Sequence, residues 1–144
     1  MLTLKSFTKK EKISHFRNLV VMALADNHFA DNEQMLLTSI AKKYGISDKE
    51  VNLALSESSK IKFIVPKTLR AKLEQIFQLV LMMLADGKIL PEEQEFCVTC
   101  CRKFHLHDHV ATDMVNYVKF ADAEGYDGDK AFEFFLSKFS SVRE

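Results

Sequence analysis

The chain has 144 residues, 47% of them apolar, and its twenty basic residues balance twenty acidic ones, which makes the formal net charge zero. This length suits one domain with a sizeable core. The balanced charge argues against a nucleic-acid-binding protein that works through a broad basic face.

Targeting signals and membrane spans are not expected from this sequence. The first seven residues lack the sustained apolar run and small-residue cleavage site of a signal peptide. The longest apolar runs, residues 19–25 and 79–85, are far shorter than the ~18–20 residues that cross a bilayer. An odd number of cysteines, three within residues 97–101, does not resemble a secreted disulfide framework. We therefore expect a cytoplasmic protein with reduced thiols and no transmembrane segment.

Capping signals place the first three helices. Thr8 to Glu11 has the S/T-x-x-E form of a capping box, which predicts a helix from there to about residues 26–27. A second helix is predicted from about Asp31 until Gly45 stops it. A further capping box, Ser47 to Glu50, opens a short third helix that reaches about residue 55.

The second half of the chain is also predicted to be helical. We interpret the stretch before Pro66 as an extended link, and we place Pro66 at the first position of the fourth helix. This helix runs to about Leu84 and is apolar nearly all round from Ile76 onward. Gly87 should end that helix, and Pro91 should begin the fifth. Two more helices are predicted around residues 108–121 and 129–139. The fold class is therefore all-α, with about seven helices and no sheet.

An internal repeat relates the two halves at an offset of sixty residues. Residues 16–48 align with residues 76–108 without a gap, and the identical pairs include Leu19 with Leu79 and Glu33 with Glu93. Self-similarity at a fixed spacing indicates that one helix hairpin is used twice. We predict a single compact domain over residues 1–144. Its parts are repeat one (about 8–58), a link (59–65), repeat two (about 66–121) and a C-terminal helix (about 127–140).

Each copy of the hairpin keeps two carboxylates. Asp26 and Asp86 follow a helix end, where the helix dipole disfavours negative charge, and Glu33 and Glu93 come seven residues later in the next helix. One interpretation is that these acids accept hydrogen bonds from free backbone N–H groups and cap the helices. The other is that they bind a divalent cation, Ca²⁺ or Mg²⁺ rather than Zn²⁺, because hard ions prefer oxygen ligands. An EF-hand is excluded, because Met82 and Leu84 would hold earlier ligand positions of its loop.

The doubled pattern A-D-[GN]-x-[IF]-x-x-x-E, in a helical chain of this size, resembles the TerB-like family, named for tellurite resistance. The resemblance covers about residues 12–118, and the run from Phe63 to Pro66 into the following helix adds to it. It implies a compact helical domain whose acidic residues are proposed to chelate a metal ion; by position they would be Asp26, Glu33, Asp86 and Glu93.

The resemblance also implies partners and a location. The family suggests stress-response complexes at the inner membrane surface, often with an integral membrane partner. Copy one departs from the family pattern, because Asn27 stands where Gly is usual. This departure puts equal metal affinity of the two halves in doubt, and whether the protein forms a homodimer stays open.

A cluster of cysteines and histidines follows Pro91. Cys97, Cys100 and Cys101 could form a zinc or thiol-redox site with His105, because Cys and His are the usual zinc ligands. The repeat aligns the three cysteines with apolar positions 37, 40 and 41, which predicts buried, inert thiols. His105, His107 and His109 align with turn positions and are predicted to lie at the surface.

The leading hypothesis is a non-enzymatic module that binds a divalent cation at its acidic corners and docks onto partner proteins. The alternative is a metal-free helical adaptor in which the same acids only cap helices. An enzyme is disfavoured, because nothing in the sequence combines a nucleophile, a base and a substrate-anchoring loop.

Overall fold

The computed structural model describes residues 8–24, 31–84, 90–125 and 127–143, with side chains described for all of these except 31–33, 128, 129 and 139–143. These residues form seven α-helices and no strand, which confirms the all-α class. The helices are α1 (Lys9–Ala23), α2 (Asp31–Tyr44), α3 (Asp48–Ser56), α4 (Leu69–Leu84), α5 (Pro91–Lys103), α6 (His109–Ala123) and α7 (Gly128–Arg143), with a 3₁₀ turn (Ser58–Lys60) after α3.

Helix α4 is the central helix, as its apolar sequence predicts. It packs against α1, α5, α6 and α7, and every residue from Leu73 to Val80 is buried. A helix that is apolar nearly all round can be stabilised only when other elements surround it. None of the described helices is long and apolar enough to cross a membrane.

The predicted capping boxes are confirmed at the starts of α1 and α3. The Thr8 hydroxyl accepts the Glu11 N–H at 3.1 Å, and the Glu11 carboxylate accepts the Thr8 N–H at 2.9 Å. Ser47 and Glu50 repeat this exchange at 3.2 and 3.0 Å. Each box satisfies two backbone donors that a helix start leaves open, which fixes where the helix begins.

Helices α2 and α5 end in the same left-handed conformation. Gly45 (φ 67°) stops α2 as predicted, and the following Ile46 N–H donates to the Ala41 carbonyl at 2.9 Å. His105 (φ 63°) takes the same role after α5, where the Leu106 N–H donates to a carbonyl at 2.8 Å. This backbone conformation favours glycine, so His105 adopts it at an energetic cost.

The fourth helix does not begin at Pro66, so that prediction is wrong. Helix α4 begins at Leu69, because the Thr68 hydroxyl accepts the Ala71 N–H at 3.1 Å and so provides the N-cap. Pro66 is buried in the preceding link instead.

Two other predicted boundaries also differ from the structure. Helix α1 ends at Ala23, earlier than predicted, since the Leu24 backbone has already left helical geometry. The link is not extended throughout, because it contains the 3₁₀ turn. The predicted helix end at Gly87 lies outside the described residues.

The helix starts follow the sixty-residue offset closely. Helices α1 and α4 begin at residues 9 and 69, α2 and α5 at 31 and 91, and α3 and α6 at 48 and 109. This spacing agrees with the repeat in the sequence, and the structural equivalence of the halves stays a prediction.

Candidate functional site

Of the four acidic residues that the sequence singles out, the structure places one completely. Glu93 lies in the first turn of α5 with only 2% of its surface exposed. Glu33 lies in the first turn of α2, and its side chain is outside the described residues. Asp26 and Asp86 also lie outside them. Whether the acidic side chains meet at a corner therefore remains a prediction.

Glu93 is the one of these four acids whose side chain the structure shows to be buried. Its neighbour Glu92 in the same turn is exposed, so the chain turns one of two adjacent carboxylates into the protein. One turn later lies Cys97, whose pKa is raised well above its usual value by burial and by negative charge on nearby groups, including Glu93. A carboxylate enters such surroundings only where hydrogen bonds or positive charge compensate for lost hydration.

The position of Glu93 within α5 matches that of two capping glutamates. Glu11 and Glu50 are each the third residue of their helix and bond back to the N-cap backbone. Glu93 is also the third residue of its helix, but the N-cap of α5 is Leu90, whose side chain has no oxygen to complete a box. Glu93 thus shares the helical position of the capping glutamates, in a helix whose N-cap side chain makes no capping hydrogen bond.

The three cysteines belong to the core, as the repeat alignment predicts. Each is a free thiol that is at most 1% exposed. Burial raises the pKa of Cys100 to about 12 and that of Cys101 to about 11, so both thiols stay protonated near neutral pH. A thiol in this state is a poor nucleophile and a poor metal ligand.

The histidines that follow the cysteines lie at the surface, which is also as predicted. His105, His107 and His109 are exposed, and His109 Nδ1 lies 2.9 Å from an Asp113 carboxylate oxygen one turn along α6. Within the described residues there is no group of three or more His, Cys, Asp or Glu side chains that could hold a metal ion. The alternative zinc or redox site at Cys97, Cys100 and His105 therefore gains no support from the geometry.

A cluster of buried polar residues lies between α1 and α4, away from the residues that the sequence analysis singles out. Of the eight buried polar or charged residues in the described part of the chain, seven lie on α1 and α4, which pack against each other. We call these seven the buried polar set; they are Glu11, Ser14, His15, Asn18, Glu74, Gln75 and Gln78.

His15 and Gln78 link α1 to α4 at the centre of this set. His15 Nε2 lies 2.6 Å from Gln78 Oε1, and the same oxygen accepts the Tyr44 hydroxyl at 2.9 Å. Burial lowers the pKa of His15 to about 4, against the smaller opposing effect of its bond to Gln78. The imidazole is therefore neutral at physiological pH, and since Gln78 Oε1 can only accept, Nε2 carries the proton.

Glu74 titrates close to neutral pH. Burial raises its pKa to about 7, although Arg70 Nε donates to its carboxylate at 3.1 Å and favours the charged form. Arg70 also pairs with Glu133 of α7 at 2.6 Å, so its charge is divided between two carboxylates. Burial raises the pKa of Tyr44, and the nearby Glu74 adds a smaller effect in the same direction.

Part of this set has a signal in the sequence repeat, although apolar positions alone do not reveal it. Positions 14 and 74, 15 and 75, and 18 and 78 are polar in both halves at the sixty-residue offset. A repeat alignment read for polar as well as apolar positions would have marked these six residues as a shared feature.

Comparison of the chain with protein-family models, curated proteins and solved structures gave no significant match. The resemblance to the TerB-like family therefore remains a prediction from the sequence.

Proposed function

We propose that this protein is a non-enzymatic helical module that binds a divalent cation at its acidic hairpin corners and docks onto partner proteins. The observation that carries the proposal is the burial of the Glu93 carboxylate in the first turn of α5, one turn before the buried thiol of Cys97. A Ca²⁺ or Mg²⁺ ion held by oxygen ligands would compensate for this burial.

The proposed ligands are Glu93 and Asp86 in one copy and Glu33 and Asp26 in the other. The helix N-terminus adds a favourable dipole for the glutamates, and the cation would offset the unfavourable position of the aspartates after a helix end. The TerB-like resemblance supports the same four residues, together with protein partners in a stress-response complex at the inner membrane surface.

A second candidate is a metal-free helical adaptor. The two capping boxes favour it, because Glu11 and Glu50 show that this chain places glutamate at the third helical position to bind the N-cap backbone. Glu11 is also buried while it caps, so burial of a glutamate at this position does not require a metal.

Thermal unfolding with and without Ca²⁺, Mg²⁺, Mn²⁺ or Zn²⁺ separates the two candidates. The variants are Asp86→Asn and Glu93→Gln at the corner, with Glu11→Gln as the matched control at the same position of another helix. We expect an ion at 100 times its dissociation constant to stabilise the wild type and Glu11→Gln by about 2.7 kcal/mol, and to leave the corner variants unchanged.

Two other results would contradict cation binding at these acids. If no ion stabilises any of the proteins while Glu93→Gln lowers the free energy of unfolding by about 1 kcal/mol, as a lost cap would, the acids cap helices and the adaptor is correct. Equal stabilisation of wild type and corner variants would place the ion elsewhere and contradict the proposed ligands.

A further inference from the structure

The surface of α3 is less covered than the surface of α6. Helix α6 is followed in the chain by the long helix α7, which packs against α6 and α4. Helix α3 is followed instead by the 3₁₀ turn of three residues, which packs against α3 and α1. A short turn thus stands in the chain where the other half has a helix of 16 residues.

This difference leaves an open groove between α1, α3 and the link. The groove has a volume of about 370 Å³. Its apolar lining is formed by Ile13, Leu53, Ile61 and Ile64. Leu53 is 37% exposed, so part of its side chain is accessible at the groove. Concave apolar surface of this kind is suited to receive a side chain from another molecule.

Lysines border the groove. Lys10, Lys60 and Lys62 line it and are exposed. Lys60 pairs with Glu57, whereas Lys10 and Lys62 form no ion pair among the described residues. Among the described residues that line the groove the one acid is Glu50, and Ser47 engages it in a capping box. Positive charge at the rim is therefore available to a partner.

Basic residues are concentrated in the half of the chain that contains the groove, and acidic residues in the other half. Residues 1–72 contain thirteen Lys and Arg against seven Asp and Glu, and residues 73–144 contain seven against thirteen. The zero net charge hides this asymmetry, and the groove lies in the basic half. An acidic partner is attracted to such a surface and a basic partner is repelled.

We propose that this groove docks an amphipathic helix of a partner protein, with apolar side chains placed over Leu53 and acidic side chains facing Lys10 and Lys62. Helix α7 shows how such an element binds to this fold, because it inserts Phe132 and Phe135 into the core from an amphipathic helix. The groove is concave, so it suits inserted side chains better than a flat lipid surface. This inference rests on the docking part of the proposed function and does not involve the cation.

The test uses the full chain in EDTA and a fluorescent 16-residue peptide with Leu at helical positions i, i+3, i+4 and i+7 and Glu on its other faces. The same peptide with Lys in place of Glu is the charge control. We expect the acidic peptide to bind at least tenfold more tightly than the basic one, and more weakly as salt is raised. Leu53→Gln and the double variant Lys10→Glu/Lys62→Glu should each weaken binding at least tenfold.

Control variants share the chemistry of these changes at other sites. Met35→Gln alters an apolar side chain that is 71% exposed on α2, and Lys119→Glu reverses an exposed charge on α6. Both should bind the acidic peptide as the wild type does. Circular dichroism of every variant confirms that the helices remain.

Several results would overturn the proposal. They are equal binding of both peptides, binding that the groove variants leave unchanged, or no binding of either peptide. Concentration-dependent self-association, or binding to phosphatidylserine vesicles, that is lost in the groove variants would assign the groove to a second copy or to lipid. Glu93→Gln should keep peptide binding in EDTA, so failure of the cation site and failure of the groove are distinguishable.

Discussion

At the scale of single residues, His15 and Glu74 are two buried groups whose pKa values move in opposite directions for the same reason. Burial disfavours the charged form of each, so the pKa of His15 falls to about 4 and that of Glu74 rises to about 7. His15 is therefore neutral near pH 7, whereas Glu74 is only partly protonated there.

These shifts predict opposite effects of pH on stability. In the unfolded chain His15 becomes protonated near pH 6.5, whereas in the folded protein it stays neutral down to about pH 4. The free energy of unfolding therefore falls as pH falls from about 6.5 to about 4. Folded Glu74 keeps its proton up to about pH 7 while the unfolded chain releases it near pH 4.5, so stability falls as pH rises through that window. The two effects oppose each other where the windows overlap.

Substitution of either residue should expose the effect of the other. We expect Glu74→Gln to lose stability as pH falls from 6.5 to 4, by about 3 kcal/mol from His15 alone. We expect His15→Gln to gain stability, relative to Glu74→Gln, as pH falls from 7 to 4.5. Urea unfolding of both variants at several pH values measures this, and the remaining carboxylates contribute equally to both curves. Parallel curves would contradict the assigned shifts.

At the scale of the helices, the ends of α2 and α5 use one backbone geometry with different residues. Gly45 is suited to its positive φ, and a side chain added there would meet no atom within 4 Å. His105 adopts nearly the same φ with a β-carbon, and its side chain is exposed. The two ends therefore share a backbone conformation and differ in how well their residue types suit it.

Exchanging the residue type at these two positions should change stability in opposite directions. His105→Gly should raise the free energy of unfolding by about 0.5–1 kcal/mol, because glycine enters the left-handed region without steric penalty. Gly45→Ala should lower it by about 1 kcal/mol for the converse reason. Urea denaturation gives both values, and a shift of the two variants in the same direction would show that side-chain contacts decide at one of these ends.

At the scale of the whole molecule, α7 is the helix that completes the core. Phe132 and Phe135 on its inner face are at most 1% exposed, and the Phe132 ring lies 5.2 Å from that of Phe77 on α4 in an edge-to-face arrangement. The same ring also contacts Arg70 of α4, whose guanidinium carbon lies 5.4 Å from the centroid of the Phe132 ring. The C-terminal helix is therefore part of the domain and not an appendage.

Truncation of this contact should destabilise the entire fold. We expect Phe132→Ala to lower the free energy of unfolding by about 3–5 kcal/mol, because it leaves a cavity between α7 and α4. Met35→Ala, at an exposed position on α2, should change it by less than about 0.5 kcal/mol. Thermal or urea unfolding compares the two variants. A small effect at Phe132 would mean that α7 can leave the core without loss of the other helices.

The sequence by itself determined the helical class, the number of helices and most of their starts. The capping boxes at Thr8 and Ser47 and the exit at Gly45 involve partners within five positions along the chain. Local hydrogen bonds of this kind depend on residue type and spacing, both of which are visible in the sequence. The repeat added two predictions of burial, namely that the three cysteines are buried and that His105, His107 and His109 are exposed.

The tertiary structure alone decided which polar residues are buried. His15 meets Gln78 across 63 positions of chain, and Arg70 meets Glu133 of α7 across the same separation. Whether such residues face solvent or another helix depends on the packing of α1, α4 and α7, which the sequence of one helix does not contain. The open groove beside α3 has the same origin, because it exists only where one half of the molecule has a helix and the other has a turn.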